Sequence, residues 1–375
     1  MTFRKPSGIF PAPEKPLPSR CGVGGGGNGM DLPTMGVGSY AAPGWLFLFR
    51  EAMRGGRTGE EDVEEAFDDA TRIAIADQIE AGVDIVSDGE LRRSRFVYEM
   101  YDRLTGIERL PPGRRLGVPG YDRAPHFVAR ERVSAPGGLG IAAEYRRLAE
   151  LAPDRRLKVA FPGPMTFMPK IGPEGPYGGD RMALLDDIAG IVREEVGRLA
   201  DEGAELIQID EPGFTDTSHG LDSRACAEAV NSAIAGHADR IAVHICFGNN
   251  ASRPYAPRGL ARLLPGMAAL DCSMLVLEFA NREMADLYLL PGLSERYRIA
   301  AGVIDVKSFH IETPEEVAAR LERVLAVVPR ERLWVTADCG FSALPRWLAR
   351  EKLHAMVAGT RLVRGEAAAQ AQPER

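Results

Sequence analysis

The sequence predicts an α/β chain closed into a (β/α)8 TIM barrel, and three observations carry that prediction. Eight short apolar, β-branched runs recur along the chain. Amphipathic stretches separate most of them, and the runs are continuously apolar rather than alternating. A parallel strand covered on both faces has this pattern, and eight β/α units in one chain make a barrel. A doubly wound open sheet is the competing architecture, but no Gly-x-Gly-x-x-Gly follows the first run.

The expected strands are residues 35–39, 83–87, 157–161, 205–209, 241–246, 275–279, 299–304 and 333–336. Expected helices occupy 60–81, 181–202, 223–235, 314–328 and 344–362. Thr313-Pro314-Glu315-Glu316 supplies a cap, a proline in the first turn and early carboxylates, which together start a helix. Residues 1–32 read as a flexible leader, 33–365 as a single catalytic barrel and 366–375 as a disordered tail. The glycine-rich run from Cys21 to Gly29 has no strand before it and no Gly-Lys-Ser/Thr after it. It reads as linker rather than phosphate loop. The segment 91–156 after the second strand is too long for a helical return. Its stretch 106–136, rich in Arg, Pro and Gly, is expected to form an irregular or hairpin insertion near the barrel mouth.

Composition narrows the function. The chain has 375 residues, 45% of them hydrophobic and 26% charged, which is enough for a sizeable core. A net charge of −7 with no dense basic run argues against nucleic acid or an anionic membrane surface as partner. No apolar run is long enough to span a bilayer, and residues 1–20 lack the apolar stretch of a signal peptide. The cytoplasm is therefore the expected compartment. The partners expected are small molecules, and the sequence leaves oligomerisation open. Five cysteines, an odd and sparse number, are no disulfide framework.

Barrel enzymes carry their chemistry at the C-terminal ends of the strands. Here those ends are polar: Ser39, Asp88-Gly89-Glu90, Asp210-Glu211, His244-Ile245-Cys246, Glu278, Asp305-Val306-Lys307 and Asp338-Cys339. His244 and Cys246, two apart on a strand, point to the same face and offer the nitrogen and sulfur that zinc prefers. Alone the pair is as consistent with ordinary core residues. Cys339, ending the last strand, shifts the balance toward a shared metal site. Glu278 closes the apolar run Leu275-Val276-Leu277 and needs a partner for its buried charge. Cys226, in mid-helix, and Cys272, ahead of the sixth strand, read as core residues. Arg92, Arg93 and Arg95 read equally as a solvated basic turn or as an anion site.

Taken together, Gly36-Val-Gly-Ser39, Gly89-Glu90, Gly163-Pro164, Ile209-Asp-Glu-Pro212, His244-x-Cys246, Glu278, Gly302-Val-Ile-Asp305 and Asp338-Cys-Gly340 resemble the C-terminal catalytic barrel of cobalamin-independent methionine synthase, over residues 34–364. The resemblance implies a zinc ion held by His244, Cys246, Glu278 and Cys339. It implies a homocysteine site made by Ser39, Glu90 and Asp210, and methyl transfer to the metal-activated thiol. Asp210, Glu278 and Lys307 are the expected catalytic residues. Two positions depart from the folate-dependent members: Lys307 stands where they carry a histidine, and Met165-Thr-Phe-Met168 lacks their tryptophan. The chain looks more like short single-barrel relatives, which include the zinc-dependent epoxyalkane:coenzyme M transferase. A thiol alkyltransferase of that kind and a metal-free barrel similar to uroporphyrinogen decarboxylase are the alternative readings. Carboxylates at Glu90 and Asp210 suit the ammonium of an amino-acid thiol better than the sulfonate of coenzyme M.

Overall fold

A computed structural model describes residues 31–93, 98–111, 126–216, 220–249, 254 and 256–366. The expected leader up to residue 30, Arg95, residues 112–125 of the expected insertion and the tail from residue 367 lie outside them.

The barrel closes. Ile85–Val86 pairs with Arg156–Leu157, and the same stretch continues as Val159–Pro162 after a break at Lys158. Ile207–Asp210, Ile241–Ile245, Met274–Leu277, Arg298–Ile304 and Leu333–Ala337 then follow in order, every pairing parallel. The first stave is reduced to isolated bridges. Thr34 pairs with Val335 and Met35 with Ile85, which joins the last strand to the second. The expected run at 35–39 forms no longer ladder; the Gly36 and Val37 carbonyls accept instead from the side chains of Lys158 and Gln208.

Side chains alternate between two cores. Met35, Val37, Ile85, Leu206, Ala242, Met274, Val276, Ala300 and Trp334 fill the lumen. Ile207, Ile209, Ile241, Val243, Leu275, Leu277, Ile299, Ala301 and Val335 face the helices. Two-residue periodicity therefore sends the even-numbered positions inward on strands four to eight. His244 continues the series from Ala242, Asp210 from Gln208, Glu278 from Val276, and Asp338 from Trp334 and Thr336.

Helices form where the sequence marks them. Glu60–Ala81 starts on three acidic residues and ends at Gly82, whose φ of 84° needs no Cβ. Arg181–Asp201 is capped by Asp180, and Ser223–Ile234 by Asp222. Pro314–Leu325 carries the Thr313–Glu316 capping box. The returns around the sixth strand are short, Leu264–Met267 and Leu290–Ser294, each with a proline in its first turn. The insertion is a hairpin. Thr105–Leu110 runs antiparallel to His126–Ser134, which pairs with Ile171–Gly172. Among the described residues no helix is long and apolar enough to cross a membrane.

Candidate metal centre

His244, Cys246 and Cys339 converge at the barrel mouth, each offering one ligand atom within 4.8 Å of the others. His244 ends a strand in the lumen. Cys246 follows one residue beyond that strand, and Cys339 lies two residues past Ala337. The sulfurs are 3.7 Å apart, and both cysteines are free. The imidazole has one nitrogen engaged: Nδ1 lies 2.8 Å from Asp210 Oδ1. Its Nε2 is buried and has no hydrogen-bond partner among the described residues. A buried orphan nitrogen beside two thiols is the donor set of a metal site, and a carboxylate behind the histidine is its usual support.

Electrostatics agree. Burial opposes a charge on His244, but Asp210 and the Cys339 sulfur outweigh it and lift the metal-free imidazole to about 9. The Cys246 thiol and His244 pull Cys339 down, whereas the Cys339 sulfur and burial push Cys246 well up.

Glu278 is fully buried but stands outside this trio. Its Oε2 accepts from Lys307 Nζ at 2.7 Å and from the Phe247 N–H at 3.1 Å, and Asn281 Nδ2 reaches Oε1 at 3.3 Å. The charge of Glu278 is nonetheless felt at Cys246. Lys307 is thus brought to the site by its ion pair with Glu278.

The residues expected to bind substrate line the same mouth. Glu90 is buried with a left-handed φ of 57°, a strained conformation for a side chain of its size. Its Oε1 lies 2.3 Å from where a Cβ on Gly38 would stand, so only glycine fits there. Burial pushes the Glu90 carboxyl up, Arg93 pulls it back, and the charge of Asp210 pushes again. Ser39 Oγ meets Ser342 Oγ at 3.2 Å and packs on Gly340, the residue after Cys339. Asp210 Oδ1 also accepts from Gln208 Nε2 at 2.6 Å.

Of the arginines after Glu90, Arg92 and Arg93 are engaged by carboxylates, and Arg95 lies outside the described residues. Arg93 is buried, paired with Glu144 at 2.7 Å and Glu90 at 3.5 Å, while Arg92 pairs with Glu64 and Asp68. Cys226 and Cys272 are buried away from the trio, as expected.

Four residues were assigned no role from the sequence. Asp338 clamps the loop after Glu278, accepting from the backbone of Phe279, Ala280 and Asn281. Glu211 clamps Gly163-Pro164 by accepting from Met165 N and Thr166 Oγ1. Lys158 and Gln208 sit in the lumen, where their parity and polarity within apolar runs were the available signal.

Comparison with known proteins places this geometry. The family profile described as cobalamin-independent synthase, catalytic domain, matches residues 32–361. The methionine synthase of Sulfurisphaera tokodaii is 34% identical over 338 residues, covering 89% of this chain and 93% of its own. That of Saccharolobus solfataricus is 33% identical over 343 residues, covering 89% and 96%. A B12-independent methionine synthase from a Shewanella species, solved with selenomethionine, superposes with TM-score 0.73 at 27% identity, covering 90% of this chain and 98% of its own. With a profile match across the whole barrel and relatives aligned along nearly their full lengths, this chain belongs to the cobalamin-independent methionine synthase family.

Proposed function

We propose that the protein is a zinc-dependent methyltransferase that methylates homocysteine, and that the metal is held by His244, Cys246 and Cys339 with Glu278 as the fourth ligand. The observation that carries this reading is the trio of buried His244 and Cys246 with half-buried Cys339, together with the partnerless imidazole nitrogen. Sulfurs each about 2.3 Å from a tetrahedral zinc lie about 3.8 Å apart. The 3.7 Å between Cys246 and Cys339 fits that spacing and is far too long for a disulfide of about 2.05 Å. Bound zinc supplies the charge that keeps a thiol deprotonated at neutral pH.

The chain's own residues do the rest. Asp210 holds the His244 tautomer that leaves Nε2 bare. Glu90 and Asp210, adjacent and buried, hold the substrate ammonium, whose arrival relieves their mutual repulsion. Ser39 takes the substrate carboxylate. Lys307 holds the Glu278 carboxylate through their ion pair and would keep its charge neutralised were Glu278 not bound to a metal. The engagement of Arg92 and Arg93 with carboxylates leaves neither free for a sulfonate. The Shewanella relative carries selenomethionine, an amino-acid ligand, which supports the same choice. Met165, Phe167 and Met168 are buried in this structure, so the segment presents no aromatic face for a pterin.

The test is metal analysis joined to thiol binding. The purified chain is expected to hold one zinc, Cys339→Ser to lose it, and Glu90→Ala to bind homocysteine at least tenfold more weakly. Active protein without metal, or a Glu90→Ala variant with parental homocysteine affinity, overturns the assignment.

A further inference from the structure

We propose that Lys158 and Gln208 are positioning residues of the metal centre, forming a directional hydrogen-bonded chain through the barrel lumen that fixes Asp210 and, through it, His244. The inference rests on the metal-dependent reading above.

The lumen is apolar at most positions, so a wholly buried lysine there requires a reason. Lys158 forms no ion pair among the described residues. Its ammonium uses its three donors on the Gly36 carbonyl, the Val37 carbonyl at 2.6 Å and Gln208 Oε1 at 2.9 Å. That last contact determines how the Gln208 amide points. With Oε1 accepting from a cation, Nε2 faces the other way. It donates to the Val37 carbonyl at 2.7 Å and to Asp210 Oδ1 at 2.6 Å. A flipped amide would set NH2 against the ammonium and a carbonyl against a carboxylate, so only one orientation is satisfied. Asp210, held from below, presents the same oxygen to His244 Nδ1 at 2.8 Å. With Nδ1 engaged by Asp210, Nε2 is the ring nitrogen left without a partner beside the thiols.

The first stave explains where the chain is anchored. Its β-bridges lie at Thr34 and Met35, and backbone hydrogen bonds hold it again at Ser39, from Phe341 N at 2.7 Å, and at Tyr40, to the Gly89 carbonyl at 2.8 Å. The carbonyls of Gly36 and Val37 are instead tied down by Lys158 and Gln208. Two residues later comes Ser39. One lumen network therefore sets both the metal-binding histidine and the segment that carries a substrate residue. Burial pushes the Lys158 ammonium down to about 7, while Asp210 and Glu90 draw it up, placing it electrostatically beneath both carboxylates.

The test uses the full chain with Gln208→Leu, Gln208→Glu and Met274→Ala. Gln208→Leu removes the donor to Asp210. Gln208→Glu keeps the contact with Lys158 and turns an acceptor toward Asp210. Met274→Ala removes only lumen packing. Zinc affinity is measured by chelator competition, and ligand geometry by the absorption spectrum of the cobalt(II) form. Both glutamine variants are expected to bind zinc about 10- to 100-fold more weakly, as for other partners behind metal ligands, with an altered cobalt spectrum. Met274→Ala should lower the melting temperature and leave both readings unchanged. A parent that binds no zinc sinks the metal reading itself. A parent that binds zinc, with glutamine variants that match it or with Met274→Ala losing as much, sinks this inference alone. Should the glutamine variants fail to fold, the parent labelled with 15N-glutamine decides. Zinc addition must shift the Gln208 side-chain amide resonance, and an unmoved resonance overturns the proposal.

Discussion

Replacing Lys307 with methionine isolates the relation between the ammonium and the carboxylate of Glu278. The two groups are 2.7 Å apart and nearly inaccessible to solvent. Without the ammonium, Glu278 retains only the Phe247 N–H at 3.1 Å and the Asn281 amide at 3.3 Å. Breaking a buried pair from one side costs about 3–5 kcal/mol, because a charge is left uncompensated. Unfolding entropy is about 2.1 cal/mol/K per residue, so over a chain of this size the loss lowers the melting temperature of metal-free protein by roughly 5 °C. Zinc should then rescue the variant. A cation that takes the Glu278 carboxylate compensates the charge that Lys307 no longer neutralises, so zinc stabilises Lys307→Met more than the parent. Scanning calorimetry of both proteins, with and without saturating zinc, reads the effect directly. The two melting temperatures should lie roughly 5 °C apart without metal and converge with it. An equal zinc-induced shift in both proteins would show that Glu278 does not exchange Lys307 for the metal. An unchanged melting temperature in the metal-free variant would refute the ion-pair reasoning itself.

Three further outcomes follow from the same geometry. Burial lifts the Glu211 carboxyl to about 8 from the ordinary 4.5, so between these values the folded state binds more protons than the unfolded chain and stability falls as pH rises. Glu211→Gln should match the parent near pH 5 and exceed it by on the order of 2–4 kcal/mol at pH 8, checked by urea melts; parallel pH profiles would refute this. A Cβ on Gly340 would lie 2.0 Å from Ser39 Oγ, so Gly340→Ala should displace that hydroxyl. It should raise the thiol KM roughly tenfold, the worth of one hydrogen bond of about 1.4 kcal/mol, with zinc content unchanged. Because metal-free His244 holds its proton to about 9, zinc binding must displace it. Apparent zinc affinity should rise with pH toward that value, and calorimetry in buffers of different ionisation enthalpy should show the proton released.

Much of the site was readable because a strand has a period of two. The parity that sends Ala242 inward sends His244 inward as well, and the same rule selects Asp210 and Glu278. Cap chemistry gave the helix start at Thr313. The short returns around the sixth strand were less legible, since proline and glycine interrupt any periodic pattern there.

The order of polar strand ends along the chain determined the barrel, the family and the candidate ligands, because each depends on local residue type and spacing. Which groups pair was decided only by closure of the sheet, which brings residues from opposite ends of the chain within hydrogen-bond reach. Arg93 became the partner of Glu144, Lys307 of Glu278, and Lys158 the base of a chain ending at His244. Short-range polar contacts depend on distances of a few ångströms, and linear spacing along a strand does not encode what lies across the lumen.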